Sequence, residues 1–167
     1  MRRDKNDGHE KALTERHPFL AGLSGRAIEA ITPFVVEKKL LPGAFLLTEG
    51  NLARATWLIL DGRVSLEIYV PGRGAVPVET VDAGGVVGWS WSLLPLQWHF
   101  DARVVAPTRV LELDGTGMEK LCAQDPALGY ALTQRLLIIL HKRIESLRLQ
   151  LLDLYGPRGA AATPTRK

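Results

Sequence analysis

Four aromatic rings, Trp89, Trp91, Trp98 and Phe100, fall close together in the chain, interleaved with Ser90, Ser92, His99, Asp101 and Arg103. Rings edged by hydroxyl, imidazole and carboxylate groups suit a pocket for a flat, apolar or weakly polar ligand. The same rings suit a filled core, because tryptophan and phenylalanine bury large surfaces without any ligand. Catalysis fits least well. His99 and Asp101 share one face of an extended strand, as a base and its orienting carboxylate would, yet no serine or cysteine nucleophile motif accompanies them. The histidines His9, His17, His99 and His141 lack metal-ligand spacing, so no structural metal is expected. Neither a phosphate-cradling P-loop nor a dinucleotide fingerprint is present. The chain does not read as an enzyme.

Such a cluster needs a scaffold, and the stretch PGAFLLTEGNLARATWLILDGRVSL from Pro42 to Leu66 describes one. Short apolar runs are punctuated by Gly43, Gly50 and Gly62, each where a tight corner needs positive φ or no side chain. Asp61-Gly62, between WLIL and VSLEIYV, predicts a hairpin turn. The runs VVEKKL, AFLLTE, WLILD, VSLEIYV, VPVETV, HFDARVVA and RVLELD read as separate short strands. YVPGRGAVPV reads as an exposed hairpin tip. The expected class is mainly β with flanking helices, an antiparallel sandwich or jelly roll.

Helices flank this body. Ser24 caps a helix from Gly25 to about Ile31, and Pro33 closes it. Thr116 to Ala123 predicts a short helix with Met118, Leu121 and Cys122 on its apolar side. Asp125 and Pro126 open a long one that runs to about Tyr155 and stops at Gly156-Pro157. Within it Leu128, Leu132 and Leu136 can face the β-body. Leu137, Leu140, Ile144, Leu147, Leu151 and Leu154 then step alternately by three and four, an a/d seam by which a helix pairs with its own copy. A homodimer is expected, with Arg143, Glu145, Arg148 and Gln150 flanking the seam. The expected organisation is a flexible leader over 1–16, a β-roll with its N-terminal helix over 17–124, the dimerisation helix over 125–155 and a flexible tail over 156–167.

Composition sets bounds. The 167 residues, 46% hydrophobic and 23% charged, suffice for one domain with a core. No apolar run approaches the ~20 residues that span a bilayer, and MRRDKNDGHEK is no secretory signal, so no membrane role is expected. The lone Cys122 precludes an internal disulfide and fits a reducing cytoplasm. The net charge of +3 resides in the leader and tail, as solvated ends rather than a nucleic-acid face.

The order Pro-Gly, Glu-Gly, an aromatic-aliphatic strand ending in Asp-Gly, then VDAGGVVGWSWSLLP, resembles the cyclic-nucleotide-binding domain of the catabolite-activator and fumarate-nitrate-regulator (Crp/Fnr) superfamily. The resemblance extends from about His17 to Tyr155 and implies a double-stranded β-helix jelly roll, bacterial type, with a long C-terminal dimerisation helix. It also implies ligand sensing. In that family a cassette reads Phe-Gly-Glu, a short helix, then Arg-(Ser/Thr)-Ala; its glutamate takes the ribose hydroxyl and its arginine the cyclic phosphate. Here Val87-Gly88-Trp89 and Phe100-Asp101-Ala102 stand in those places, so only Gly88 and Ala102 match. Arg103 lies beside them, but adjacent strand residues face opposite ways, and it could substitute only across a bulge. Cyclic nucleotide is therefore not expected at the usual site.

Three readings of the vacated place stay open: rings filling a core, a pocket for a changed ligand, or cyclic AMP or GMP held in a non-standard way. Some sensors of the superfamily bind haem, for which His99 or His141 would be the axial ligand; only their presence points there, and no cofactor is assigned. About a dozen residues follow Gly156, too few for a winged-helix recognition element, so direct sequence-specific DNA binding is not expected. The functional expectation is a non-catalytic regulatory module that signals as a dimer through a protein partner. Alternatives are a structural or scaffolding dimer with an aromatic-plugged pocket, and a haem or other small-ligand sensor.

Overall fold

The computed structural model describes residues 4–90 and 96–155, with side chains for 8–90 and 96–152. Strands β1 (Val35–Leu40), β2 (Phe45–Leu47), β3 (Ala55–Val70), β4 (Gly74–Asp82), β5 (Val86–Val87) and β6 (Asp101–Asp114) form one antiparallel sheet. Its order is β1-β6-β3-β4, with β2 also on β6 and β5 also on β3. Helices α1 (Asp4–Arg16), α2 (Gly25–Ile31), α3 (Gly115–Gln124) and α4 (Pro126–Tyr155) flank it. The expected class, a mainly β jelly roll with flanking helices and a long last helix, is the one found.

The Asp61-Gly62 hairpin is not formed. Both halves of that region belong to β3, which stays paired with β6 from Ala55↔Asp114 to Glu67↔Asp101. The two strands expected around Pro107 are likewise one, β6. Gly62 has a φ of +95°, but serves a bulge rather than a reversal, and the register shifts between Ile59 and Val64. A Cβ at Gly62 would lie 2.4 Å from the Pro107 carbonyl oxygen. Opposite the bulge, Pro107 has no N–H to offer, and the Arg63 N–H is taken up by the Thr108 hydroxyl at 3.0 Å. The true reversal is at the expected tip, where Val70 pairs with Gly74.

Alternation along β3 and β6 sets up the interior. Trp57, Ile59, Val64 and Leu66 meet Ala102, Val104 and Val110 in one buried cluster, joined by Leu47, Val81, Val87 and Trp98. The chain divides into two units, Met1–Leu132 and Thr133–Lys167. The division falls inside α4 rather than at residue 125, because Leu128 and Leu132 are buried with the first unit. Asp125 accepts the Leu128 N–H at 3.0 Å and Ser24 caps α2, as their sequence positions predict, and Asp114 caps α3.

Within the expected leader, Asp4–Arg16 is helical. Its sequence lacks an apolar stripe, and polar contacts dock it instead. Glu10 accepts the Glu37 N–H at 3.2 Å, His9 Nε2 lies 3.1 Å from Glu37, and Lys11 pairs with Glu29 at 2.7 Å. Just beyond the helix, buried His17 receives the Phe19 N–H at Nδ1, so Nε2 carries the proton and donates to the Ile59 carbonyl at 3.2 Å.

That arrangement holds only for neutral imidazole, and burial pushes the His17 pKa below its usual 6.5. The unfolded chain therefore binds the proton first. The stability His17 contributes is complete above about pH 6.5 and declines as pH falls from there, by up to ~1.4 kcal/mol per pH unit. Thermal melts at pH 8 and pH 5.5 should show a drop of a few degrees. His17→Gln, which keeps a donor for Ile59 without the titration, should lessen that drop. An identical drop in both proteins would refute the assignment.

Candidate functional site

Strand β5 is followed by Gly88, and the site is built around what a side chain there would strike. With φ at +79°, a Cβ would come within 2.9 Å of Trp57 and 3.0 Å of Trp98. The missing side chain is what lets the two indoles close, at 5.8 Å between centroids and an interplanar angle of 46°. The Thr56 hydroxyl fixes the turn by donating to the Gly88 carbonyl at 2.6 Å. The Trp57 indole N–H donates to Glu112 Oε2 at 2.8 Å, and the Lys38 ammonium donates to the same oxygen at 2.7 Å. Both indoles are buried, and Phe100 packs against the same cluster. Truncating a buried tryptophan costs about 3–5 kcal/mol, so the pair stabilises the fold whatever else it does.

Trp57 was not among the residues singled out by sequence. It reads as one apolar position in a strand, and only the pairing of β3 with both β5 and β6 brings it under Gly88. Of the residues that were singled out, Gly88, Trp98, Phe100 and Ala102 come together; Ala102 is fully buried. Trp89 is half-buried and Ser90 buried. Trp91 and Ser92 lie outside the described residues.

The polar members do not converge on the rings. Asp101 accepts the Glu49 N–H at 2.8 Å and so ties down a loop corner. His99 is exposed. Arg103 sits opposite Ser65 in a β3–β6 register that runs without a shift from Val64 to Glu67, and the shift on its other side, between Phe45 and Leu47, places the extra residue on β2 rather than beside Arg103 on β6. It instead grips Glu67 through Nε at 3.0 Å and Nη2 at 2.5 Å. The Arg103 hydrogen bonds hold the Glu67 carboxyl below its usual pKa against the opposing effect of burial. Arg109 is committed in the same way to Glu37, at 2.7 Å. His141 lies 3.4 Å from Glu145 on α4. Burial pushes the Cys122 thiol up, away from reactivity. Among the described residues no group of three His, Cys, Asp or Glu could hold a metal ion, and no helix is long and apolar enough to cross a membrane.

Residues 37–125 match the family model for the cyclic nucleotide-binding domain. No curated protein matches the sequence. Among solved structures, the fold is similar to a cyclic nucleotide-binding domain from Methylobacillus flagellatus, 21% identical, with a TM-score of 0.73 over 95% of this chain and 88% of that one. It is similar too to the sensor domain of the transcriptional regulator DNR from Pseudomonas aeruginosa, 16% identical, TM-score 0.68, covering 95% and 99%. The N-terminal domain of a transcriptional regulator from Streptomyces coelicolor is 18% identical, TM-score 0.63, covering 81% and 94%.

Proposed function

The chain belongs to the cyclic nucleotide-binding domain family, and from that premise we propose that it is a non-catalytic regulatory module whose phosphate cassette has been rewritten into a core. The observation that carries this reading is the Trp57–Trp98 contact over Gly88, with Phe100 packed beside it. A cyclic phosphate buried in such a roll needs a fixed guanidinium. The nearest one in sequence, Arg103, faces away from Ala102 and is bound to Glu67. Asp101 would repel the anion, and its carboxylate already serves the Glu49 amide.

Calorimetry with cyclic AMP and cyclic GMP tests this. No heat of binding is expected at micromolar ligand, and saturable micromolar binding of either nucleotide would mean that a non-standard site exists and the reading is wrong.

Output, in this reading, passes through α4 as a homodimer to a protein partner. Support comes from the apolar residues of the second unit. Leu137, Ile144, Leu147 and Leu151 are each about half exposed, at 53%, 49%, 49% and 51%, and Leu140 adjoins them at heptad spacing. The Leu154 side chain lies outside those described. A buried glutamate in a seam is strongly unfavourable, so Leu147→Glu should convert a dimer to monomer by gel filtration with light scattering. A dimer that survives the substitution contradicts the seam.

A further inference from the structure

Between β2 and β3 the chain crosses seven residues, Thr48 to Arg54, that belong to no strand. Their backbone groups are satisfied by neighbours instead. Gly50 donates to the Trp98 carbonyl at 2.9 Å, Trp98 donates to Asn51 at 3.0 Å, and Ala53 donates to Leu96 at 2.7 Å. Leu96 itself is held at a φ of +58°, a conformation a leucine adopts only under constraint. At the far end Gly115, the first residue of α3, donates to the Arg54 carbonyl at 2.7 Å. The loop is thus clipped both to the end of the aromatic segment and to the start of α3.

An open depression of about 260 Å³ lies along this loop, lined by Leu47, Trp57 and Trp98 from the aromatic cluster and by Leu52 and Phe45. The last two are 55% and 53% exposed. Its polar lining includes Thr48, Asn51 and Arg54. Arg54 is unlike the strand arginines. Arg63, Arg103 and Arg109 are each held by a carboxylate, whereas the Arg54 guanidinium has no ion-pair or hydrogen-bond partner among the described residues. A second depression, about 190 Å³, shares Leu52 and Arg54 but carries Glu119, which disfavours an anion on that side.

We infer that the larger depression is a binding site for a small amphipathic carboxylate, its flat apolar body against Leu52, Trp57 and Trp98 and its anion on Arg54. Apolar walls with one convergent charged group are the ordinary composition of a small-molecule site, and a guanidinium fork matches a carboxylate. The site shares only Trp98 with the segment where the family's cassette stands, and uses neither Trp89 nor Phe100. Trp57 and Trp98 line it from one side and fill the roll from the other, so a ligand here would touch the same rings that close the interior.

Titration calorimetry on the full chain with naphthylacetate, and with naphthylacetamide as its neutral counterpart, tests the inference. The acid should bind saturably, and the amide about tenfold more weakly or less. Arg54→Gln, on an exposed side chain and checked for unchanged far-ultraviolet circular dichroism, should weaken the acid about tenfold and leave the amide unchanged. Absence of saturable binding by the acid up to millimolar concentration would overturn the proposal. So would acid binding that Arg54→Gln leaves intact. Either result is independent of the cyclic-nucleotide titration.

Discussion

Every other strand in the sheet is attached to the pairing of β3 with β6. These are the two longest strands, and β1 and β2 pair with one while β4 and β5 pair with the other. Neither could continue straight through its middle, because β6 carries Pro107 and β3 carries Gly62 opposite it. The bulge there solves both problems at once. Gly62 supplies the positive φ and the room for the Pro107 carbonyl, and Thr108 supplies the acceptor that the shifted ladder lacks. Beyond the bulge the register resumes, and its phase decides which residues of β6 face inward: Ala102 and Val104 do, Arg103 does not.

That phase links fold to function. A register shifted by one residue would turn Arg103 inward and Ala102 out. In the observed register the inward face is apolar, and Trp57 and Trp98 close over Gly88 above it. The polar groups that sequence placed beside the rings have structural employment elsewhere: Arg103 on Glu67, Asp101 on the Glu49 amide. The proposed loss of nucleotide binding and the stability of the roll therefore arise from the same packing. The depression at Arg54 is lined by these same rings, so a ligand there would touch the contact that closes the core.

Much of this was legible in the sequence. Glycine spacing and capping residues located the fold, and Ser24 and Asp125 cap helices where local chemistry places them. Local signals failed where the outcome depended on distant partners. Asp61-Gly62 is a hairpin signal on its own and a bulge only because β6 runs alongside both halves of β3. Helix α1 has no apolar stripe, so nothing in its own residues announces docking by Glu10, His9 and Lys11 on Glu37 and Glu29. Trp57 stands far in sequence from the cluster it completes, and its role became visible only once the Gly88 backbone and the Trp98 ring were set beside it. Arg54 looks like any loop arginine until its lack of a partner among the described residues is seen.

Hydrogen exchange at the Trp57 indole N–H, followed by magnetic resonance, tests the filled interior most directly. With the Trp57 ring buried and its N–H bonded to Glu112, its exchange should proceed only through global unfolding, with the denaturant dependence of the slowest backbone amides, and cyclic AMP should not alter it. Exchange through a low-energy local opening, or protection that rises when cyclic AMP is added, would show that the roll opens to admit a ligand and would contradict the account.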